Sequence, residues 1–332
     1  MKITILLISI FIFTIVSCQN ADNSDQGKEL SIEDLTLLIE KNPDQVDLLN
    51  KRAQLYVQKS DLNMAVADLT KATNLAPDSI SYYMQMAELF MKMGQMNNTL
   101  GILKKVTEIA PRHIPAWIKL GEIHLMYKKR EEVFIFANKA LEIDPYNDEA
   151  FFLRAYNYKE MGDTNKSIEN FQQCLKNNPQ NYEANIELGN MFSALRNELA
   201  IIYYKNAIQI DSTNIDAIYN LGLFFQNNDM LNEAINTYKH LNDIDPKFAY
   251  SYYNIGYIYL QLLNISDKAV PYFTDAIKVK PDYYEAYLNR GLAFEKLGDV
   301  FSAKQDYQSA LQINPDYMKA IESLNRVESN MK

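Results

Sequence analysis

The 332-residue sequence is poor in several residue types, and each scarcity limits what the protein can be. It contains two cysteines, Cys18 and Cys174, which are too few for a disulfide framework. Its three histidines are far apart, and it has no metal-ligand spacing, glycine-rich phosphate loop or nucleophile motif. We therefore predict no enzyme activity, no catalytic residues, no cofactor and no metal site.

Basic residues are outnumbered by acidic ones: the sequence has 33 lysines and arginines and 42 aspartates and glutamates, which gives a net charge of −9. Nucleic-acid binding needs clustered lysine and arginine. The composition therefore predicts no nucleic-acid partner.

Long hydrophobic runs are absent after the first 17 residues. Lys2 precedes an apolar run from Ile3 to Val16, which is shorter than the roughly 20 residues of a membrane-spanning helix. A short basic start followed by such a run is typical of a secretory signal peptide. We therefore predict a signal peptide at residues 1–17.

Proline is present at a regular interval of 34 residues. Ser212 takes the place of one proline after 33 residues, and the interval before Pro281 is 35 residues. Only Pro115 and Pro271 fall outside the series, which consists of Pro43, Pro77, Pro111, Pro145, Pro179, Pro246, Pro281 and Pro315. A fixed period of this length is the signature of a repeat architecture.

Other positions follow the same period when the closing proline is numbered position 32 of each repeat. Position 11 is aromatic in every repeat, with His124 in one of them, and position 20 is mostly small. Position 24 is bulky except at Ala137. Position 8 is always alanine or glycine, at Ala53, Ala87, Gly121, Ala155, Gly189, Gly222, Gly256 and Gly291. Small residues let two helices approach, and the proline ends the second helix.

These positions resemble the tetratricopeptide repeat, or TPR. The resemblance implies an all-α, right-handed superhelical solenoid of antiparallel helix pairs, with eight repeats between capping helices. Residues 31–45 would form an N-terminal capping half-repeat and residues 318–332 a C-terminal capping helix, which cover the ends of the stack. The eight repeats would occupy 46–317, as 46–79, 80–113, 114–147, 148–181, 182–214, 215–248, 249–283 and 284–317.

The end of the signal segment, Ile15-Val16-Ser17-Cys18, resembles the lipobox of bacterial lipoproteins. That resemblance implies cleavage before Cys18, acylation with fatty acid such as palmitate, and attachment to a membrane. Gln19 is not the aspartate that retains enterobacterial lipoproteins at the inner membrane, so an outer-membrane location is favoured. Residues 18–30 would then be the acylated cysteine and a flexible polar tether. Cys174 would be a small core residue.

Three repeats have arginine at position 7, where the other repeats have an apolar residue. In the same three repeats position 23 is Asp68, Asn170 or Asp306. A half-buried arginine needs such a partner. We predict ion pairs Arg52–Asp68 and Arg290–Asp306, and a hydrogen bond between Arg154 and Asn170.

The first helices of TPR arrays line a concave groove, so the residues on that face are candidate ligand contacts. Asparagine occupies position 6 in three successive repeats, and tyrosines surround it. These candidate groove residues are Asn220, Asn254, Asn289, Tyr219, Tyr250, Tyr253 and Tyr257. An amide side chain can both donate to and accept from a peptide backbone, and tyrosine adds flat contact surface. Asparagine is also a consensus residue at this position without any ligand.

The N-terminal repeats instead carry methionines near this face, at Met84, Met91 and Met126. Methionine suits an adaptable apolar contact with a partner helix, but these side chains could equally contact one another.

The sequence as a whole indicates a membrane-anchored scaffold of the bacterial envelope that holds protein or extended peptide partners, in an envelope assembly or secretion complex. Self-association stays open. One alternative is a lipoprotein with a helical-repeat core that binds a solute or glycan, although the 33–35-residue period leaves no room for insertions. The other is a non-catalytic regulatory subunit of an enzyme complex.

Overall fold

The computed structural model describes residues 30–330, and all regular secondary structure within them is helical. The predicted all-α class is confirmed. The chain divides at Thr99 into an N-terminal part and a C-terminal part, which are described separately. The signal segment and Cys18 lie outside the described residues.

The N-terminal part contains α1 (Ile32–Lys41), α2 (Val46–Gln58), α3 (Leu62–Leu75) and α4 (Ile80–Lys92). Ser31 and Asp34 form a capping box at the start of α1, since the Ser31 hydroxyl accepts from the Asp34 N–H at 3.0 Å. This contact satisfies an N–H that the helix itself leaves unpaired. Leu35 and Ile39 of α1 pack with residues of α2, so α1 covers the outer face of the first helix pair.

The division of the chain falls within α5 (Met96–Ile109), and the C-terminal part continues with thirteen further helices. They pack as sequential antiparallel pairs, each first helix against the second helix that follows it. The bounds are α6 (Ile114–Met126), α7 (Arg130–Ile143), α8 (Asp148–Glu160), α9 (Thr164–Asn177), α10 (Tyr182–Ala194), α11 (Leu199–Ile210), α12 (Ile215–Asn227), α13 (Leu231–Ile244), α14 (Ala249–Tyr257), α15 (Ser266–Val279), α16 (Tyr284–Lys296), α17 (Val300–Ile313) and α18 (Met318–Asn330).

The turn between the two helices of every repeat uses one residue with positive φ. Glycine adopts this left-handed conformation without steric cost, as at Gly162 with φ of 80°, whereas other residues pay for it. The residues in this position are Ser60, Gly94, Lys128, Gly162, Arg196, Asp229, Asn264 and Gly298. The geometry of the repeat therefore imposes a left-handed residue in the turn even where the sequence has no glycine.

The two repeats of unusual length absorb the change in different helices. In the 33-residue repeat, α11 has 12 residues where the neighbouring second helices have 14. In the 35-residue repeat, α14 continues as a π-helical turn, Ile258–Leu262, in which the Leu263 N–H donates to the Ile258 carbonyl at 2.9 Å. A π-helical turn takes one extra residue into a helix without ending it. The stacking of the repeats is thus preserved on both sides.

The core of each helix pair is built around the small residue at position 8. A Cβ atom on Gly222 would lie 2.5 Å from Cε1 of Tyr238, and one on Gly291 would lie 2.6 Å from Cε1 of Tyr307. Both rings are fully buried. At Gly121 the opposing position 24 is Ala137, and Leu153 of the next repeat fills the space instead, 2.7 Å from the same hypothetical atom. At Gly222 and Gly291 a buried ring therefore leaves no room for a Cβ atom, whereas at Gly121 the contact is with the end of a flexible leucine side chain.

Two of the three position-7 arginines form ion pairs with the second helix of their own repeat. Arg52 donates from Nε and Nη2 to the two carboxylate oxygens of Asp68, at 2.8 and 2.7 Å. Arg290 does the same with Asp306, at 2.8 and 2.7 Å. In each case Nη1 donates to a threonine of the preceding second helix, at 2.8 Å to Thr36 and 3.1 Å to Thr274. The fork of the guanidinium is thereby matched to the carboxylate.

The predicted hydrogen bond between Arg154 and Asn170 is wrong. The Asn170 amide donates to the Lys166 carbonyl in its own helix at 2.8 Å, and Nε of Arg154 is buried without a hydrogen-bond partner. A neutral amide attracts a guanidinium less strongly than a carboxylate does, and the Asn170 side chain is instead held by its donor group on the backbone of its own helix.

We expect Gly222→Ala to destabilise the protein by about 1–3 kcal/mol, because the new methyl group overlaps the buried Tyr238 ring. Gly101→Ala is the matched control, since Gly101 lies on an exposed face of α5 with no atom near its hypothetical Cβ. That substitution should stabilise by up to about 1 kcal/mol through helix propensity. Urea unfolding followed by circular dichroism checks both, and equal effects would contradict the packing account.

We expect Arg290→Leu to destabilise by about 1–3 kcal/mol, because Asp306 is left in a mostly buried site without its partner. The double variant Arg290→Leu/Asp306→Thr imitates the apolar repeat that carries Leu221 and Thr237 and should recover most of the loss. Thermal unfolding of both variants makes the comparison. A single variant as stable as the unmodified protein would show that the pair contributes nothing.

Candidate functional site

The three position-6 asparagines lie at equivalent places on α12, α14 and α16, and each reaches toward the preceding repeat. Asn254 Nδ2 donates to the Tyr219 hydroxyl at 3.4 Å, and Asn289 Nδ2 donates to the Tyr253 hydroxyl at 3.0 Å. Asn220 Nδ2 donates to Asn190 Oδ1 at 3.4 Å. The asparagines therefore connect successive first helices.

Asn254 and Asn289 are only 8% and 7% exposed. Asn289 also donates to the Glu285 carbonyl at 2.9 Å, and its Oδ1 accepts from Gln261 Nε2 at 3.3 Å. Its amide hydrogen-bonding capacity is thus largely used within the protein. Asn254 and Asn289 each donate a hydrogen bond to a tyrosine of the preceding repeat, so they stabilise the surface. A ligand would therefore contact the groups around them.

Aromatic rings form a continuous cluster across two of these repeats, 215–248 and 249–283. Tyr219 contacts Phe248 with ring centroids 5.2 Å apart, and Phe248 contacts Tyr250 at 5.6 Å. Tyr283 then contacts Tyr250 at 5.5 Å and Tyr253 at 4.8 Å. We call this set the tyrosine cluster, and it consists of Tyr219, Phe248, Tyr250, Tyr253, Tyr283 and, at 6.3 Å from Tyr253, Tyr257.

The cluster is rigid at its base and open at its surface. Tyr283 is buried, whereas Tyr250 is 42% exposed and Tyr257 is half-buried. Burial raises the pKa of Tyr253, so its hydroxyl stays protonated while it accepts from Asn289. It keeps a proton to donate to another acceptor. The face thus offers ring surface and hydroxyl donors on immobilised side chains.

Lys280 shows how a cation fits this cluster. Its Nζ lies 5.0 Å from the centroid of Tyr250 and 4.9 Å from that of Tyr283, and it donates to the Tyr250 hydroxyl at 3.2 Å. This hydrogen bond raises the pKa of Lys280. The rings therefore accept positive charge on their faces.

In the repeat that precedes the one with Asn220, position 6 is Glu187. Its carboxylate accepts from the Tyr156 hydroxyl at 2.7 Å and pairs with Lys159, both on α8. The groove face of α8 also carries Glu149. Glu149 is exposed at the surface, but desolvation by the surrounding protein, with Asp148 and Glu122 nearby, raises the pKa of its carboxyl above its usual range.

The remaining chemistry-bearing residues have structural environments. Cys174 is fully buried, and burial raises the pKa of its thiol to about 12, which disfavours the reactive thiolate. His124 is buried against Phe136 and its Nδ1 lies 2.8 Å from the Leu120 carbonyl. Among residues 30–330, no group of three or more metal-ligating side chains comes together, and no helix is long and apolar enough to cross a membrane.

Family models of the tetratricopeptide repeat match residues 148–181, 215–248 and 253–317. A model of Chs5p-Arf1p-binding proteins matches residues 27–113. The crystal structure of the C-terminal part of a TPR repeat-containing protein from Cytophaga hutchinsonii aligns with a TM-score of 0.63 and 15% identity. It covers 72% of this chain and 98% of the solved one, and it supports the fold alone.

Tetratricopeptide repeat protein 6 of Homo sapiens is 27% identical over 161 residues, which are 46% of this chain and 29% of that protein. Protein O-mannosyl-transferase TMTC3 of Homo sapiens is 25% identical over 162 residues, which are 43% of this chain and 17% of that protein. The chain thus spans less than a third of the length of these relatives. The repeats and the fold define a helical-repeat scaffold for protein interactions. Tetratricopeptide repeats are therefore present at residues 148–181, 215–248 and 253–317 of this chain.

We expect Glu149→Gln to raise the melting temperature at about pH 7, because the ionised carboxylate is disfavoured in the folded state. A raised pKa means that the folded protein binds this proton more tightly than the unfolded chain does. The penalty is therefore absent at about pH 3, where the carboxyl is protonated in both states. Glu160→Gln on the same helix is the control. An equal gain from Glu149→Gln at both pH values would contradict the electrostatic explanation.

Proposed function

We propose that this protein is a lipid-anchored scaffold of a bacterial envelope, which binds protein or extended peptide partners on the tyrosine cluster. The observation that carries the binding role is the cluster itself, with its exposed Tyr250 beside buried rings. Tyrosine supplies large amphipathic contact area at a small cost in conformational entropy. Rings that are already held in place lose little freedom on binding.

The asparagine hydrogen bonds support this role indirectly. Asn254 and Asn289 connect the hydroxyls of Tyr219 and Tyr253 to the following helix. A binding surface whose side chains are locked by neighbours holds its geometry in the absence of ligand. The exposed amide of Gln261 and the tyrosine hydroxyls are groups that suit the N–H and C=O of a peptide backbone.

The anchor is proposed from the sequence at Ile15–Cys18. Cleavage before Cys18 and its acylation would leave residues 18–30 as the tether, and several acyl chains anchor stably because each buried CH₂ contributes about 0.8 kcal/mol. Gln19 favours the outer membrane. The scaffold would then present its partners at that membrane, in an assembly or secretion complex, and self-association is compatible with this role.

We expect Tyr250→Ala/Tyr257→Ala to reduce partner recovery at least about tenfold, since truncating aromatic anchors removes most of the energy of an interface. The measurement is affinity capture of the tagged full chain from envelope membranes of the producing bacterium, with proteins quantified by mass spectrometry. Tyr146→Ala is the matched control, because Tyr146 is an exposed tyrosine outside the cluster. Asparagine variants are unsuited to this test because they also remove hydrogen bonds between repeats.

If the double variant and the control recovered the same proteins, the tyrosine cluster would be excluded as the binding surface. Capture of no defined protein by the unmodified chain would remove the scaffold role.

We expect Cys18→Ser to release the protein from the membrane fraction, because it removes the acylated sulfur. Cys174→Ser should stay in the membrane fraction, since Cys174 is a buried core residue. Membrane fractionation, together with mass spectrometry of the mature N-terminus, reports both. An unmodified, uncleaved N-terminus in the wild-type protein would contradict the lipoprotein assignment.

A further inference from the structure

One edge of the C-terminal part, formed by the turns between first and second helices, exposes large apolar side chains in three successive repeats. Tyr127, Met161 and Leu195 follow the ends of α6, α8 and α10 directly. Two neighbours on the same edge are also exposed. We call this set the apolar edge, and it consists of Met126, Tyr127, Met161, Leu195 and Leu199.

Side-chain contacts connect neighbouring repeats beside this edge. Asn157 Nδ2, near the end of α8, donates to the carbonyl of Arg130 at the start of α7, at 2.8 Å. One repeat further along, Lys159 pairs with Glu187 of α10. Contiguous exposed apolar groups of this kind mark interaction surfaces in soluble domains.

The two ends of the apolar edge carry opposite charge. Beside Tyr127 lie three consecutive cations, Lys128, Lys129 and Arg130. Beyond Leu199, the turn of the next repeat carries Asp229 and Glu233 and contains no lysine or arginine between residues 226 and 233. These four flanking groups, the two lysines and the two acids, are exposed.

The central turns carry both signs. Lys166 pairs with Asp163 at 3.0 Å in the Met161 turn, and Arg196 and Glu198 flank the Leu195 turn. Glu131 and Glu132 follow the three cations at the basic end, and Glu160 precedes Met161. Along the edge, the turn at Tyr127 is therefore basic and the turn at Asp229 is acidic. The two turns between them are apolar and close to neutral in charge.

A patch with this order of charges is complementary to the same patch on a second copy that runs in the opposite direction. We propose that two copies of this chain associate through the apolar edge, antiparallel about a two-fold axis between Met161 and Leu195. The lysines of one copy then face Asp229 and Glu233 of the other, and Met161 faces Leu195. An interface of two-fold symmetry uses the same patch on both subunits, and opposed charges fix its register.

Charge exchange tests the register. The variant Lys128→Glu/Lys129→Glu and the variant Asp229→Lys/Glu233→Lys should each lower the dimer fraction at least about tenfold, because like charges then oppose each other. Mixing the two variants restores both contacts and should restore the dimer. All four side chains are exposed, and because Lys128 and Asp229 adopt positive φ, circular dichroism of each variant checks that the fold is retained. The full chain, purified in detergent and followed by sedimentation velocity, is the material for this measurement.

Cysteine crosslinking tests the position of the axis. Two tagged copies of the full chain are produced together, one with Met161→Cys and one with Leu195→Cys, and the membranes are treated with a mild oxidant. We expect a disulfide-linked pair that carries both tags. Tyr146→Cys is the control, since Tyr146 is exposed and precedes the start of α8, whereas Met161 follows its end. The unmodified chain run alongside reports any crosslink through its own cysteines.

A dimer fraction that is unchanged by either charge variant would overturn the proposal, as would a monomeric unmodified chain. Crosslinks from Met161→Cys to a protein of a different mass would assign the edge to another partner and equally overturn it. Binding at the tyrosine cluster does not depend on this result, because the cluster lies on other residues.

Discussion

The close contact between the small residue at position 8 and the bulky side chain at position 24 determines how most of the helix pairs pack, with the pair that contains Gly121 and Ala137 as the exception. At Gly189, Gly222, Gly256 and Gly291 the opposing ring lies where a Cβ atom would otherwise be. Because the helices approach this closely, each repeat forms a thin pair that cannot bury its apolar faces alone. Stacking on the next repeat completes the core, and stability becomes a sum over neighbouring repeats.

The same stacking builds the candidate site. First helices of successive repeats come near enough for Asn254 to reach Tyr219 and for Asn289 to reach Tyr253. The rings of two repeats then contact one another, and the exposed Tyr250 packs against buried rings. The candidate site is therefore formed by two repeats together, and the change of one residue at position 5 or 6 affects both of them.

The sequence predicts the repeat period, the helical class and the positions that carry the core, because a solenoid imposes the same requirement on every repeat. It also points to Arg52–Asp68 and Arg290–Asp306, since arginine and carboxylate appear together. It does not predict that Asn170 prefers the Lys166 carbonyl, or that Asn254 and Asn289 are buried. Those outcomes depend on side-chain orientation and on packing between repeats, which the repeat pattern does not encode. The location of the extra residue in a π-helical turn depends likewise on which helix distorts at the lower cost.

We propose that the tyrosine cluster binds a protein partner, and a photo-crosslinking amino acid at position 250 can report this contact. The residue replaces Tyr250 in the full chain, in the producing bacterium, with the same substitution at Tyr146 as the comparison. The account predicts a crosslink from position 250 to a defined protein other than this chain, and none from position 146. Crosslinks from position 250 to nothing, or to the same proteins as from position 146, would contradict it.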